Sequence, residues 1–220
     1  MDRDAGLVRV AAGGVMLEGN LLLPDAARGV VVFAHGSGSS RFSSRNRYVA
    51  DVLRGAGLGT FLLDLLTREE EAIDERTRHL RFDIGLLAER LVATVEWLRD
   101  RPQTALLPIG YFGASTGGGA ALVAAAQIPE QIAAVVSRGG RPDLAGPALP
   151  HVTAPTLLIV GGDDVPVIGM NREAYDQMQC ERKIEIVPGA SHLFEEPGTL
   201  EQVARLATDW FVRHFGAAER

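Results

Sequence analysis

The chain has 220 residues, 46% of them hydrophobic and 23% charged, and a formal net charge of −6. These values suit one α/β domain, residues 1–220, with a sizeable core, and they disfavour nucleic acid and anionic membranes as partners. The single cysteine, Cys180, excludes a disulfide framework or a cysteine-built metal site within one chain.

In chain order, the opening MDRDAGLVRV carries acids and lacks the basic-then-apolar layout of a secretory leader. No apolar run reaches the roughly 18 residues of a membrane span, so a soluble protein of a reducing cytoplasm is expected. "LVRVAAGGVMLEGNLLLP" reads as two strands joined near Gly13-Gly14, an antiparallel hairpin. "GVVVFAHGSGSS" is a continuous apolar run ending in glycine and serine, the mark of a strand buried on both faces. A helix is predicted around residues 44–56, then a buried strand in "GTFLLDLL". The charged run "EEEAIDERTRH" reads as a solvated segment. "FDIGLLAERLVATVEWLRDR" has apolar residues at three- and four-residue steps and predicts a long amphipathic helix.

The alternation continues. "LPIGYFGA" is a strand, followed by a helix of small residues to about Gln127. "IAAVVSRGG" is a strand followed by a proline-rich loop, and "PTLLIVGG" is a strand followed by a helix around 168–179. "KIEIVPG" is a short strand, and the last helix runs from about Leu200 to Phe215. Strand–helix alternation over the whole length predicts a mostly parallel, doubly wound sheet with helices on both faces. Ligands of such sheets bind at the carboxyl ends of the strands.

The chemistry concentrates in "IGYFGASTGGGAAL". A Gly-x-Ser-x-Gly match, Gly113 to Gly117, is weak alone and is satisfied equally by a strand–helix junction that needs small residues. Its setting raises its value: it follows an apolar strand and opens an alanine-rich helix. There a sharp turn lifts a serine above the sheet edge as a nucleophile, and the helix N-terminus favours developing negative charge. A serine hydroxyl needs a base. Of the five histidines, His192 follows the last strand in "IVPGASHLFEEPG" and so lies at a strand's carboxyl end. His214 falls in the last helix, His79 in the charged run, His151 in a proline-flanked loop, and His35 beside Gly36. An acid must orient the imidazole. Asp163 and Asp164 both end a buried strand, and either qualifies, or caps the next helix instead. Two backbone donors must meet the oxyanion: the N–H of Thr116, and that of Ser37 in "AHGSGSS", where Gly36 permits close approach. The alternative reading of that loop as a phosphate loop fails for want of a Gly-Lys-Ser/Thr ending.

The chain resembles the dienelactone hydrolase-like branch of the α/β-hydrolases in "FAHGSGSSRFSSRNRYVA", "LLDLLTREEE", "FDIGLLAERL", "GYFGASTGGGAAL", "VVSRGGRPDLA", "LLIVGGDDVPV" and "GASHLFEEPG". The resemblance implies an α/β-hydrolase sheet of about eight strands and a serine esterase-type site without cofactor or metal. Relatives show Asp-x-x-Val after the Gly-Gly strand end, which Asp164-Val165-Pro166-Val167 matches, so the resemblance assigns Asp164 as the acid. Founding members carry cysteine at the turn where this chain carries Ser115, and that departure favours ordinary esters over dienelactone.

The short connection between the "VVSR" and "PTLLIV" strands leaves little room for a lid domain. An open, shallow site for small or short-chain esters is therefore expected, working through an acyl-enzyme. Thioester hydrolysis or acyl transfer by the same triad, and a non-catalytic binding protein on the same fold, are the competing functions. Arg41, Arg45, Arg47 and Arg138 are candidates to hold a carboxylate on the substrate, against the plainer reading of solvated or paired arginines. The partner expected is a small-molecule ester, and a homodimer stays open.

Overall fold

Residues 5–216 are described by the computed structural model; the acidic opening MDRD lies outside them. The hairpin forms from β1 (Leu7–Ala12) and β2 (Val15–Leu22). Gly13 and Gly14 join them at φ of 57° and 84°, the left-handed pair that a two-residue hairpin turn requires. The strands β3 (Val30–Ala34), β4 (Gly59–Leu63), β5 (Ile109–Ala114) and β7 (Thr156–Gly161) are buried at every residue. β6 (Ile132–Arg138) and β8 (Arg182–Val187) complete an eight-stranded sheet of order β1-β2-β4-β3-β5-β6-β7-β8. β2 runs antiparallel to both β1 and β4, and all later pairings are parallel.

The period of two along each strand separates two cores. Val30, Val32 and Tyr111 face one side of the sheet. There they meet α3 (Ile84–Arg99), α4 (Thr116–Gln127) and α5 (Val165–Gln177). Val31, Phe33 and Phe112 face the other, against α1 (Ser44–Gly55) and α6 (Thr199–His214). α4, "TGGGAALVAAAQ", is buried almost all round. Its small side chains let the helix start tight against the strand ends, which fixes where Ser115 stands.

Two stretches differ from the sequence reading. The charged run, read as solvated, is mostly exposed but forms a helix, α2 (Arg68–Thr77), that the sequence reading did not place. Thr67 and Glu70 make a capping box, Arg78 ends the helix in a left-handed conformation, and Asp74 is buried. The proline-rich loop after β6 is a 3₁₀ segment, Pro142–His151, broken at Gly146 and packed on α4 and α5.

Candidate active site

Ser115 stands between β5 and α4 with φ 51° and ψ −123°, a conformation that costs an L-residue strain and persists only where surroundings impose it. The imposing contacts are backbone. A Cβ on Gly113 would lie 2.5 Å from Gly118 Cα, and one on Gly117 2.2 Å from the Ala34 carbonyl oxygen. The Ser115 carbonyl accepts the N–H groups of Gly118 and Arg141, both at 3.0 Å, which pins the turn. Gly36 packs against the serine: a Cβ there would lie 3.0 Å from Ser115 Cβ.

His192 follows β8, and its Nδ1 lies 2.6 Å from Asp164 Oδ2. Asp164 occupies the N-cap position of α5 but makes no capping bond with its side chain; the carboxylate serves His192 instead. Asp163 is exposed, and its N–H donates to the Ala190 carbonyl. So of the two aspartates the structure brings Asp164 to the histidine. Gly139, at φ 51°, packs against the His192 backbone, since a Cβ there would lie 3.1 Å from the His192 carbonyl oxygen. Ser115 and His192 line one cavity of about 240 Å³. The His192 side chain is 40% exposed, so the cavity opens to water.

The loop after β3 holds a bond that the sequence does not reveal. The Ser37 N–H donates to Thr116 Oγ1 at 3.0 Å, and the two hydroxyls lie 3.0 Å apart. The Ser37 hydroxyl also donates to the Arg81 carbonyl at 3.3 Å. The Ser37 amide, read from sequence as a free donor, is therefore engaged by the residue after the serine. Behind it, buried Asp74 accepts from Arg81 Nε and from the N–H groups of Leu80 and Arg81. Burial pushes the Asp74 carboxyl up, but these bonds outweigh it and hold the group below the usual carboxylate range.

The remaining candidates separate cleanly. His35 is buried, with Nε2 accepting from the Leu65 N–H at 3.1 Å and Nδ1 3.0 Å from the Gly36 carbonyl. Burial lowers its pKa, so the neutral ring braces the ends of β3 and β4. His79 bonds Thr77 at the surface, His151 is exposed, and His214 packs on Trp210. Cys180 lies beside Thr156, where burial pushes the thiol up.

Arg41 does not line the Ser115 cavity. Its guanidinium pairs with Asp64, and with Glu18 at 3.0 Å, on the wall of a separate groove. Of the two readings of Arg41, the paired one is what its side chain shows: two carboxylates, on β2 and after β4, meet the charge. Arg138 ends β6 and does line the cavity, as does Arg45.

A sequence model of the dienelactone hydrolase family matches residues 17–215. A dienelactone hydrolase from Anabaena variabilis, solved by crystallography, is 66% identical with a TM-score of 0.93, over 94% of this chain and 96% of that one. Est1E from Butyrivibrio proteoclasticus shares the fold at 16% identity and a TM-score of 0.79, over 96% and 99% of the two chains. A Mycobacterium tuberculosis protein named "Putative phosphoribosyl transferase" is 61% identical over 207 residues, 94% of this chain and 46% of its own length. The chain thus spans about half the length of the curated relatives it matches.

Proposed function

The chain belongs to the dienelactone hydrolase family, and from that premise we propose that it is a serine hydrolase of small carboxylic esters. The observation that carries this reading is the strained Ser115, at φ 51°, sharing a cavity with a histidine bonded to Asp164 at 2.6 Å.

In this reading Asp164 accepts the Nδ1–H of His192, which leaves the lone pair on Nε2 to act as base. Ser115 Oγ attacks the ester carbonyl while His192 takes its proton. The oxyanion is met by the Thr116 N–H, one of the unpaired donors at the start of α4. The Ser37 N–H joins it by exchanging the Thr116 hydroxyl for the oxyanion. The tetrahedral intermediate collapses, the C–O bond breaks, and His192 gives its proton to the leaving alkoxide. Water then attacks the acyl-enzyme with His192 again as base, releasing the acid and restoring Ser115. Thioester cleavage and acyl transfer use the same groups. The exposure of His192 favours water as acceptor. The name of the mycobacterial relatives describes proteins about twice as long as the matched stretch, and the cavity around Ser115 offers acyl chemistry. A single cysteine suits action in a reducing cytoplasm.

A fluorophosphonate probe tests this directly. It should label the wild type at Ser115 and leave Ser115→Ala unlabelled. An unlabelled wild type that is folded would refute the reading.

A further inference from the structure

Three arginines, Arg41, Arg90 and Arg138, are buried among the described residues. Arg41 is neutralised by Asp64 and Glu18, and Arg90 by Glu70. Arg138, 6% exposed, has no carboxylate paired with it among the described residues. Its Nη2 donates to Asn46 Oδ1 at 3.2 Å, its guanidinium carbon lies 5.9 Å from the Phe194 ring centre, and its buried Nε has no partner. Burial, with Arg45 adding repulsion, lowers its pKa to about 10, so it remains a cation at neutral pH. A buried charge without a counter-ion is costly, and an apolar side chain of similar volume would remove the cost.

The charge faces the cavity of Ser115. That wall carries Arg138, Arg45, Asn46 and several serines, and neither aspartate nor glutamate. Arg45 reaches Glu195 at 3.0 Å, a carboxylate 62% exposed, so its pairing lies at the wet rim and screens little of the interior. Arg138 pairs in register with Ala114, the residue before the serine, about 4.8 Å away as neighbouring strands lie. An anion held there is within a few bonds of a carbonyl placed at Ser115 Oγ.

The geometry points to Arg138, helped by Arg45 at the rim, as the binding site for an anionic group on the substrate and the residue that makes the site prefer acidic esters over neutral ones. This rests on the reading of Ser115 as nucleophile. The chemistry recognised is a carboxylate or a phosphate close to the scissile bond: a half-ester of a short diacid, or an ester of a short hydroxy-acid or alcohol phosphate. Arg138 forms no bond in the reaction; it places the carbonyl by holding the other end of the molecule.

The test compares kcat/KM within matched pairs: ethyl butyrate against monoethyl succinate, and glyceryl monoacetate against the acetyl ester of glycerol phosphate. Wild type should favour the anionic member of at least one pair by about tenfold or more. The pair that responds identifies carboxylate or phosphate. Arg138→Met should lose most of that ratio, mainly through KM, and Arg138→Lys should keep part of it. No preference in the wild type, or a ratio unchanged in Arg138→Met, overturns the assignment. Should Arg138→Met fail to fold, inhibition of p-nitrophenyl acetate hydrolysis by succinate and by inorganic phosphate takes its place. Competitive inhibition that weakens in Arg138→Lys supports the site, and inhibition that is absent or equal in both proteins overturns it. Ser115→Ala separates the two claims. If it hydrolyses neutral esters as the wild type does, the nucleophile reading fails whatever the charge preference. If it is inert while the ratio ignores Arg138, only the anion site fails.

Discussion

Two of the regions that take an arginine out of water do so differently. Where β2 meets β4, Arg41 lies against Asp64 and Glu18, so the charge is settled within the fold and ties the hairpin to the parallel sheet. At the end of β6, Arg138 is as deeply buried, at 6% against 7%, with an amide oxygen, a ring and a cavity for company. Residue type and burial are matched; the partner set differs. A buried cation surrounded by its own carboxylates holds structure together, whereas one left facing a cavity is available to something from outside.

The largest expected effect tests whether the cavity side is the reacting side at all. Ser115→Ala should lower kcat on p-nitrophenyl acetate on the order of 10³-fold or more, and near-wild-type turnover would erase the distinction between the regions. The comparison itself is sharpened by truncating each arginine in a urea titration. Arg41→Met orphans Asp64, while Glu18 keeps Arg9 and Arg68, and should cost about 3 kcal/mol. Arg138→Met orphans no carboxylate, so its stability should equal or exceed that of the wild type; equal losses at both sites would break the contrast. Asp164→Asn should also cut kcat by orders of magnitude through loss of the His192 tautomer, while Asp163→Asn, exposed and off the histidine, should stay within about twofold.

The smallest effect is on acid stability. Burial raises the carboxyl pKa values of Glu18, Glu70 and Asp74, but their arginine bonds outweigh it and hold all three below the usual range. A group that binds protons more weakly folded than unfolded stabilises the fold above its unfolded pKa. That contribution disappears as pH falls through the folded value. Stability measured from neutral pH downward should therefore decline below the ordinary carboxylate range. Asp74→Asn, neutral throughout, should be less stable at pH 7 and show a shallower acid limb. A limb as steep as in the wild type would remove Asp74 from the account.

Much of the fold was legible in the sequence because buried parallel strands are written as continuous apolar runs: VVVFA, GTFLL and TLLIVG each match a strand. α2 escaped because its ten residues hold little apolar periodicity. Thr67 and Glu70, spaced as a capping box, were the signal available. The placement of Ser115 followed from glycine spacing at a strand end. Spacing left Asp163 and Asp164 open, since both lie at the same strand end; the resemblance pointed to Asp164, and it is the Asp164 carboxylate that lies against His192. The bond from Ser37 to Thr116 joins residues 79 apart in sequence, and no local pattern encodes it. The different fates of Arg41 and Arg138 were equally hidden, because a guanidinium's role is set by which carboxylates the fold brings to it.

The central claim, that Ser115 forms a covalent acyl intermediate, is tested most directly by mass spectrometry of the protein quenched with acid during turnover of p-nitrophenyl acetate. The account predicts one acetyl group, localised by peptide mapping to Ser115, absent from Ser115→Ala and accumulating in Asp164→Asn if deacylation slows more than acylation. Hydrolysis that proceeds at full rate in Ser115→Ala, or an acetyl group trapped on another residue in its place, would contradict it.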